Sequence, residues 1–91
     1  MTAVAAAMPG NSGNGTISSV SDDGGGTPLG TYDIICRGTR QARCPFRVIN
    51  PSGLLVGVGV VGTAFDGPIN FLLSDGNVPF EGGDAWRVTV S

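Results

Sequence analysis

The sequence contains no histidine, which removes the general base of Ser-His-Asp and Cys-His catalytic sites. It contains only two cysteines, Cys36 and Cys44, whereas a structural zinc site needs four ligands. The glycine-rich stretches at residues 24–26 and 57–59 lack the lysine of a phosphate-binding loop. We therefore predict a protein that is not an enzyme and that holds no metal and no cofactor.

Lysine is absent as well, and the net charge is −2. Binding to nucleic acid through general electrostatics needs a basic surface that releases counterions from the phosphates, so we expect no nucleic-acid partner. No apolar run approaches the roughly 20 residues of a membrane-spanning helix, and we expect no membrane partner. Residues 1–9 lack the basic segment and the apolar core of a secretion signal.

Charged residues are scarce, at 13% of the chain against 41% apolar residues, and 16 residues are glycine. A chain of 91 residues forms one domain, and a domain of this size is marginally stable alone. A surface so poor in charge is tolerated in a subunit of a larger assembly. We therefore predict a domain that associates with copies of itself or with a partner.

Beyond residue 14 the chain alternates short β-branched segments with turns rich in glycine, asparagine and aspartate, and no segment has the apolar period of a helix. The pattern predicts an all-β fold over residues 15–91, a small β-sandwich or barrel of about six short strands. The predicted strands are residues 16–21, 31–37, 44–49, 54–61, 69–73 and 85–90.

Residues 1–14 have no periodic pattern and end in a run of glycine, asparagine and serine. We predict a flexible N-terminal arm here. Two interpretations stay open, a disordered tail or an arm that becomes ordered on a neighbouring subunit.

The second and third predicted strands would form a hairpin centred near Arg40, with six side chains on the core face. In this hairpin the facing pairs are Cys36–Cys44, Ile34–Phe46 and Tyr32–Val48. The cysteines are either two buried thiols that pack as small apolar side chains or a cross-strand disulfide that would add about 2–3 kcal/mol.

Four of the five arginines fall in the same hairpin, Arg37, Arg40, Arg43 and Arg47. One interpretation is a solvated loop that keeps a sheet edge from aggregating. The other is a docking prong whose guanidinium groups pair with carboxylates on a partner. Four charges without interleaved aromatic residues are too few for a nucleic-acid prong.

Several segments, in this order, resemble a recurring module. They are GNGTI (13–17), GTY (30–32), FRVINPSG (46–53), VGTAF (61–65), GPINF (67–71) and GDAWRVTV (83–90). Their order and spacing over roughly residues 13–91 are similar to those of tailed-phage head decoration (capsid cement) proteins of the lambda-type group.

The resemblance implies a virion structural protein that is made in the host bacterial cytoplasm and binds the exterior of the expanded head. Its partners would be the major capsid protein and copies of itself, in a homotrimer or alternatively a dimer. We expect contacts from the arm (Val4, Met8), from the arginine hairpin, and from exposed loops near Phe65 and Phe80. The alternatives are a tail or baseplate subunit and a module that binds carbohydrate on the host surface.

Overall fold

The computed structural model describes residues 3–22, 29–38 and 43–91, and these residues form eight β-strands and no helix. The all-β prediction is confirmed. The strands are β1 Ala3–Ala7, β2 Thr16–Asp22, β3 Gly30–Cys36, β4 Pro45–Ile49, β5 Leu55–Val60, β6 Phe65–Asp66, β7 Ile69–Ser74 and β8 Ala85–Val90.

The strands form two antiparallel sheets, one of five strands in the order β1-β8-β3-β4-β5 and one of three in the order β2-β7-β6. Both sheets contribute side chains to one apolar core, which is the arrangement of a sandwich. The edges of the larger sheet are β1 and β5, and those of the smaller sheet are β2 and β6.

Alternation along the strands builds the core, because successive side chains point to opposite faces. In β3, β4, β7 and β8 every second residue is buried. Aromatic rings occupy the centre in two groups. Phe46, Phe65 and Phe71 have ring centroids 5.0 to 6.0 Å apart, and Phe80 meets Trp86 edge-on at 4.6 Å.

The β3–β4 hairpin has the predicted core face, but its register was wrong by two residues. Cys36 pairs with Phe46 and Ile34 pairs with Val48. A shift of two keeps every side chain on its face, so all six predicted core residues are buried. The shift follows from the connection, where the Arg37 N–H donates to Pro45 O at 2.9 Å and Cys44 precedes the strand instead of pairing within it.

Two strands were missed, and one of them replaces the predicted arm. Ala3–Ala7 is not a flexible segment but strand β1, paired with β8 from Ala3 opposite Val90 to Ala7 opposite Trp86. Alanine has a weak strand preference, so the local signal was poor, and β8 supplies the pairing. Strand β6, Phe65–Asp66, has two residues and is too short to show a period.

Candidate functional site

Residues 11–14 are fixed to the segment 78–85 by side-chain hydrogen bonds, and Asp84 is at the centre of this contact. Its side chain is 3% exposed. Its Oδ1 accepts the Ser12 N–H at 2.8 Å, and its Oδ2 accepts the N–H groups of Gly13 at 2.9 Å and Glu81 at 3.1 Å. We call this contact the Asp84 latch. It holds the chain between β1 and β2 on the domain.

Asparagines extend the latch in both directions. Asn11 Nδ2 donates to Ala85 O at 2.9 Å, and Asn11 Oδ1 accepts the Ala85 N–H at 2.8 Å. Asn14 Oδ1 accepts the Val78 N–H at 2.9 Å. Residues 11–14 are therefore part of the domain, which the glycine-rich sequence did not indicate.

The contact residues expected in the arm and in the loops have different positions in the structure. Val4 lies on the outer face of β1 and is 62% exposed, while Met8 follows the strand and is half-buried. The expectation of exposed loops was wrong for the rings of Phe65 and Phe80, which are 9% and 1% exposed. Glycines leave room for both rings, since a Cβ at Gly57 would lie 2.6 Å from Phe65 Cζ.

The arginines of the predicted prong are exposed where the structure describes them, at Arg37, Arg43 and Arg47, while Arg40 lies outside the described residues. Arg43 is engaged within the domain, because its Nη2 donates to Thr63 Oγ1 at 3.3 Å and its backbone N–H donates to Asp75 Oδ2 at 2.8 Å. Arg47 projects from the outer face of β4.

Cys36 and Cys44 are free thiols, and both are buried. Cys44 Sγ donates to Arg37 O at 3.0 Å. Burial raises the pKa of the Cys36 thiol well above its usual value, and the neighbouring Cys44 thiol raises it further through its charge and a hydrogen bond. The two side chains pack in the core as small apolar groups.

This environment predicts slow thiol chemistry. In the native protein at pH 8, iodoacetamide should alkylate Cys36 at least about 100-fold more slowly than in guanidinium chloride, because the thiolate is the nucleophile. A raised folded-state pKa contributes stability below the unfolded pKa, and this contribution is lost as the pH rises through the folded value. The melting temperature should therefore fall above about pH 9. Alkylation at the unfolded rate, measured by mass spectrometry, would contradict this environment.

The open side of the sandwich lies between the edge strands β5 and β6. Residues 54–61 contain no charged residue, and four of their apolar side chains face solvent. We call these the β5 patch: Leu54 (64% exposed), Leu55 (55%), Val58 (62%) and Val60 (39%).

Two core-facing positions of β5, Gly57 and Gly59, are glycines, and Val56 is partly buried against the core. The other large side chains of the strand point outward. A Cβ at Gly59 would lie 2.5 Å from Phe46 Cζ, so a phenyl ring from the core fills the place of a side chain, as at Gly57. A bulge opposite Val48 and Ile49 changes the direction in which the side chains at the start of the strand point. Leu55, opposite Ile49, therefore points outward like Val58.

Two cavities of about 320 and 410 Å³ share lining residues at β6. The first lies against β7, and the second lies against β5 beside the patch; we call the second the β5–β6 cleft. Ala64, Phe65 and Asp66 line both. The first cavity is also lined by Ser19, Asn70, Phe71 and Leu72, and the second by Val58, Gly59, Val60 and Thr63. Sequence reasoning missed this site, although its signals were the charge-free run at 54–61 and the alternating glycines.

Residues 3–22, 29–38 and 43–91 contain no group of three or more cysteine or acidic side chains placed to hold a metal ion. In the same described part of the chain, no helix is long and apolar enough to cross a membrane. The feature that stands out among the described residues is an exposed apolar surface made of the β5 patch and the cleft.

Comparison with known proteins finds similarity in structure and none in sequence families. No family model matches the chain, and no curated protein matches it. FlgL from Xanthomonas campestris, in two crystal forms, superposes with a TM-score of 0.74 at 18% identity, over 97% of this chain and 28% of FlgL. The likeness is one of fold.

The flagellar hook junction protein FlgK from Burkholderia pseudomallei superposes with a TM-score of 0.71 at 21% identity, over 100% of this chain and 16% of FlgK. The chain thus spans less than a third of each of these proteins. None of the three structures is a head decoration protein, so that resemblance stays a prediction.

Proposed function

We propose that this chain is a non-enzymatic structural domain that attaches to a larger bacterial or phage protein assembly through the β5 patch and the β5–β6 cleft. The observation that supports this proposal most directly is the charge-free, apolar edge at residues 54–61. Fully burying one Leu or Val side chain contributes about 1.5–3 kcal/mol, so covering the patch gives a modest contact per copy. When many copies bind a repeating lattice, the weak contacts of the individual copies together stabilise the assembly.

The narrower proposal is decoration of a phage head. In this role the domain binds the major capsid protein on the exterior of the expanded shell, as a homotrimer or dimer, and reinforces the shell. The order of the sequence segments from GNGTI to GDAWRVTV supports it, as does the low charge of the chain. The location would then be the virion, after synthesis in the bacterial cytoplasm.

A second candidate is a tail or baseplate subunit, which the likeness of fold to FlgL and FlgK favours. Binding to host carbohydrate is less well supported. Sugars stack on exposed aromatic rings, and all six aromatic residues of this chain are buried, including Tyr32 and Trp86 at 0% and 1% exposure.

Sedimentation with separated phage parts tests the proposal. The purified protein is mixed with expanded heads, with unexpanded procapsids and with tails of the phage that carries this chain. Saturable binding to expanded heads alone supports decoration, and binding to tails alone supports the second candidate. Binding to none of the three, at protein concentrations up to about 100 times those of the particles, would overturn both the decoration role and the tail or baseplate role.

A further inference from the structure

Strand β5 is an open sheet edge without the usual protection. Proteins keep such edges from pairing with other chains by placing charges or prolines on them, and residues 54–61 contain neither. In the described part of the chain β5 pairs with β4 alone, so its other side presents free backbone groups. Addition of an extended strand requires this kind of edge.

The size of the patch favours one strand as its occupant instead of a second copy of the domain. The exposed fractions of the four patch residues together equal about two fully exposed side chains, or roughly 250 Å² of apolar area. A stable protein–protein interface buries about 800 Å² on each partner. Backbone hydrogen bonds along an added strand would supply the remaining affinity.

Charge on the same sheet face indicates what the added strand carries. Arg87 Nε lies 3.3 Å from Asp33 Oδ1, so this arginine already forms an ion pair within the domain. Arg47 lies directly opposite Val58 in the β4–β5 register, and its exposed guanidinium has no acceptor among the described residues. A carboxylate on the incoming strand would complement Arg47.

We propose that the β5 edge accepts one extended strand of a partner protein, which presents alternate apolar side chains to the β5 patch and an acidic side chain to Arg47. This inference rests on the proposed function, since it specifies how the attachment is made. The partner segment is thus a strand with alternate apolar side chains and one acidic side chain.

A synthetic peptide tests this mode directly. The probe is an acetylated eight-residue peptide of alternating valine and threonine in which glutamate replaces one central valine, so that it shares the face of the other valines. Amide NMR shifts of the full chain report its binding. We expect saturable shifts at the amides of Val56, Val58 and Val60. Val58→Asp should weaken binding at least tenfold, whereas Thr89→Asp, on the exposed face of β8 in the same sheet, should leave it unchanged.

The second part of the experiment tests the contact with Arg47. A peptide with lysine in place of glutamate should bind about three- to fivefold more weakly, the effect of one exposed ion pair, and Arg47→Gln should abolish that preference. Shifts confined to the β1–β8 edge, or none up to several millimolar peptide, would overturn the inference. Concentration-dependent shifts of the β5 amides without peptide would also overturn it, because they would identify a second copy as the occupant.

The two proposals can fail separately. If the peptide does not bind while the protein still sediments with heads or tails, strand addition is wrong and the structural function stands. If the peptide binds β5 but the protein sediments with none of the particles, the edge accepts strands and the proposed assembly is wrong.

Discussion

Asp84→Ala is expected to lower the free energy of unfolding by about 3–5 kcal/mol. The substitution leaves the N–H groups of Ser12, Gly13 and Glu81 without the carboxylate that they share. It also loosens residues 12 and 13 against the domain, while β1 stays paired with β8 and Asn11 stays bonded to Ala85. Since a domain of this size has a total stability of about 5–15 kcal/mol, the variant should be close to unfolding at 37 °C.

Urea denaturation followed by tryptophan fluorescence measures this effect, because Trp86 is buried. Asp33→Ala is the matched control. Asp33 pairs with Arg87 on the exposed sheet face, and such a pair is worth about 1 kcal/mol or less. Equal destabilisation by the two substitutions would show that the latch does not hold the N-terminal segment.

Gly59→Val is expected to cost about 2–3 kcal/mol, because the new side chain would occupy the space of the Phe46 ring. The expectation is counterintuitive for a strand, where valine is normally preferred to glycine. Val58→Ala, at the neighbouring outward position, should change stability by less than about 1 kcal/mol. Thermal melts of the two variants provide the comparison.

A double-mutant cycle tests whether the destabilisation by Gly59→Val comes from contact with the Phe46 ring. Phe46→Leu shortens the side chain that covers Gly59, so Gly59→Val should be less costly in that background by about 1 kcal/mol or more. Strictly additive effects would mean that the glycine is required for some reason other than contact with Phe46.

The fold could be predicted because most strands have a clear period and clear turns. In β3 and β4 the alternation alone identified the core face, including Cys36 and Phe46. It could not fix the register, because pairings two residues apart place the same side chains on the same face. The loop geometry decides between them, and Gly38 and Arg43 both have positive φ there.

The site was harder to predict because its parts are distant in sequence. Phe65 was expected in an exposed loop, whereas tertiary contacts with Phe46, Phe71 and Gly57 bury its ring. Asp84 looked like an ordinary turn residue, since its partners Ser12 and Gly13 lie about 70 residues away. Local sequence carries no signal for contacts of that separation.

Glycine at two core-facing positions of β5 links the core to the proposed function. In most strands of a sandwich the apolar side chains point inward and the polar ones outward. Here Phe46 and Phe65 supply the inward apolar volume over Gly59 and Gly57, so the strand keeps Val58 and Val60 on its outer face. The exposed apolar edge is therefore built into the packing of the core.

Sedimentation of paired edge variants tests this central claim most directly. Val58→Asp and Thr89→Asp introduce the same charge on the exposed face of one sheet, the first at the β5 edge and the second on the interior strand β8. If β5 is the attachment surface, Val58→Asp should lose at least tenfold in affinity for the particle that binds the unmodified protein, and Thr89→Asp should bind as before. Unchanged binding by Val58→Asp, with its melting temperature preserved, would contradict the account.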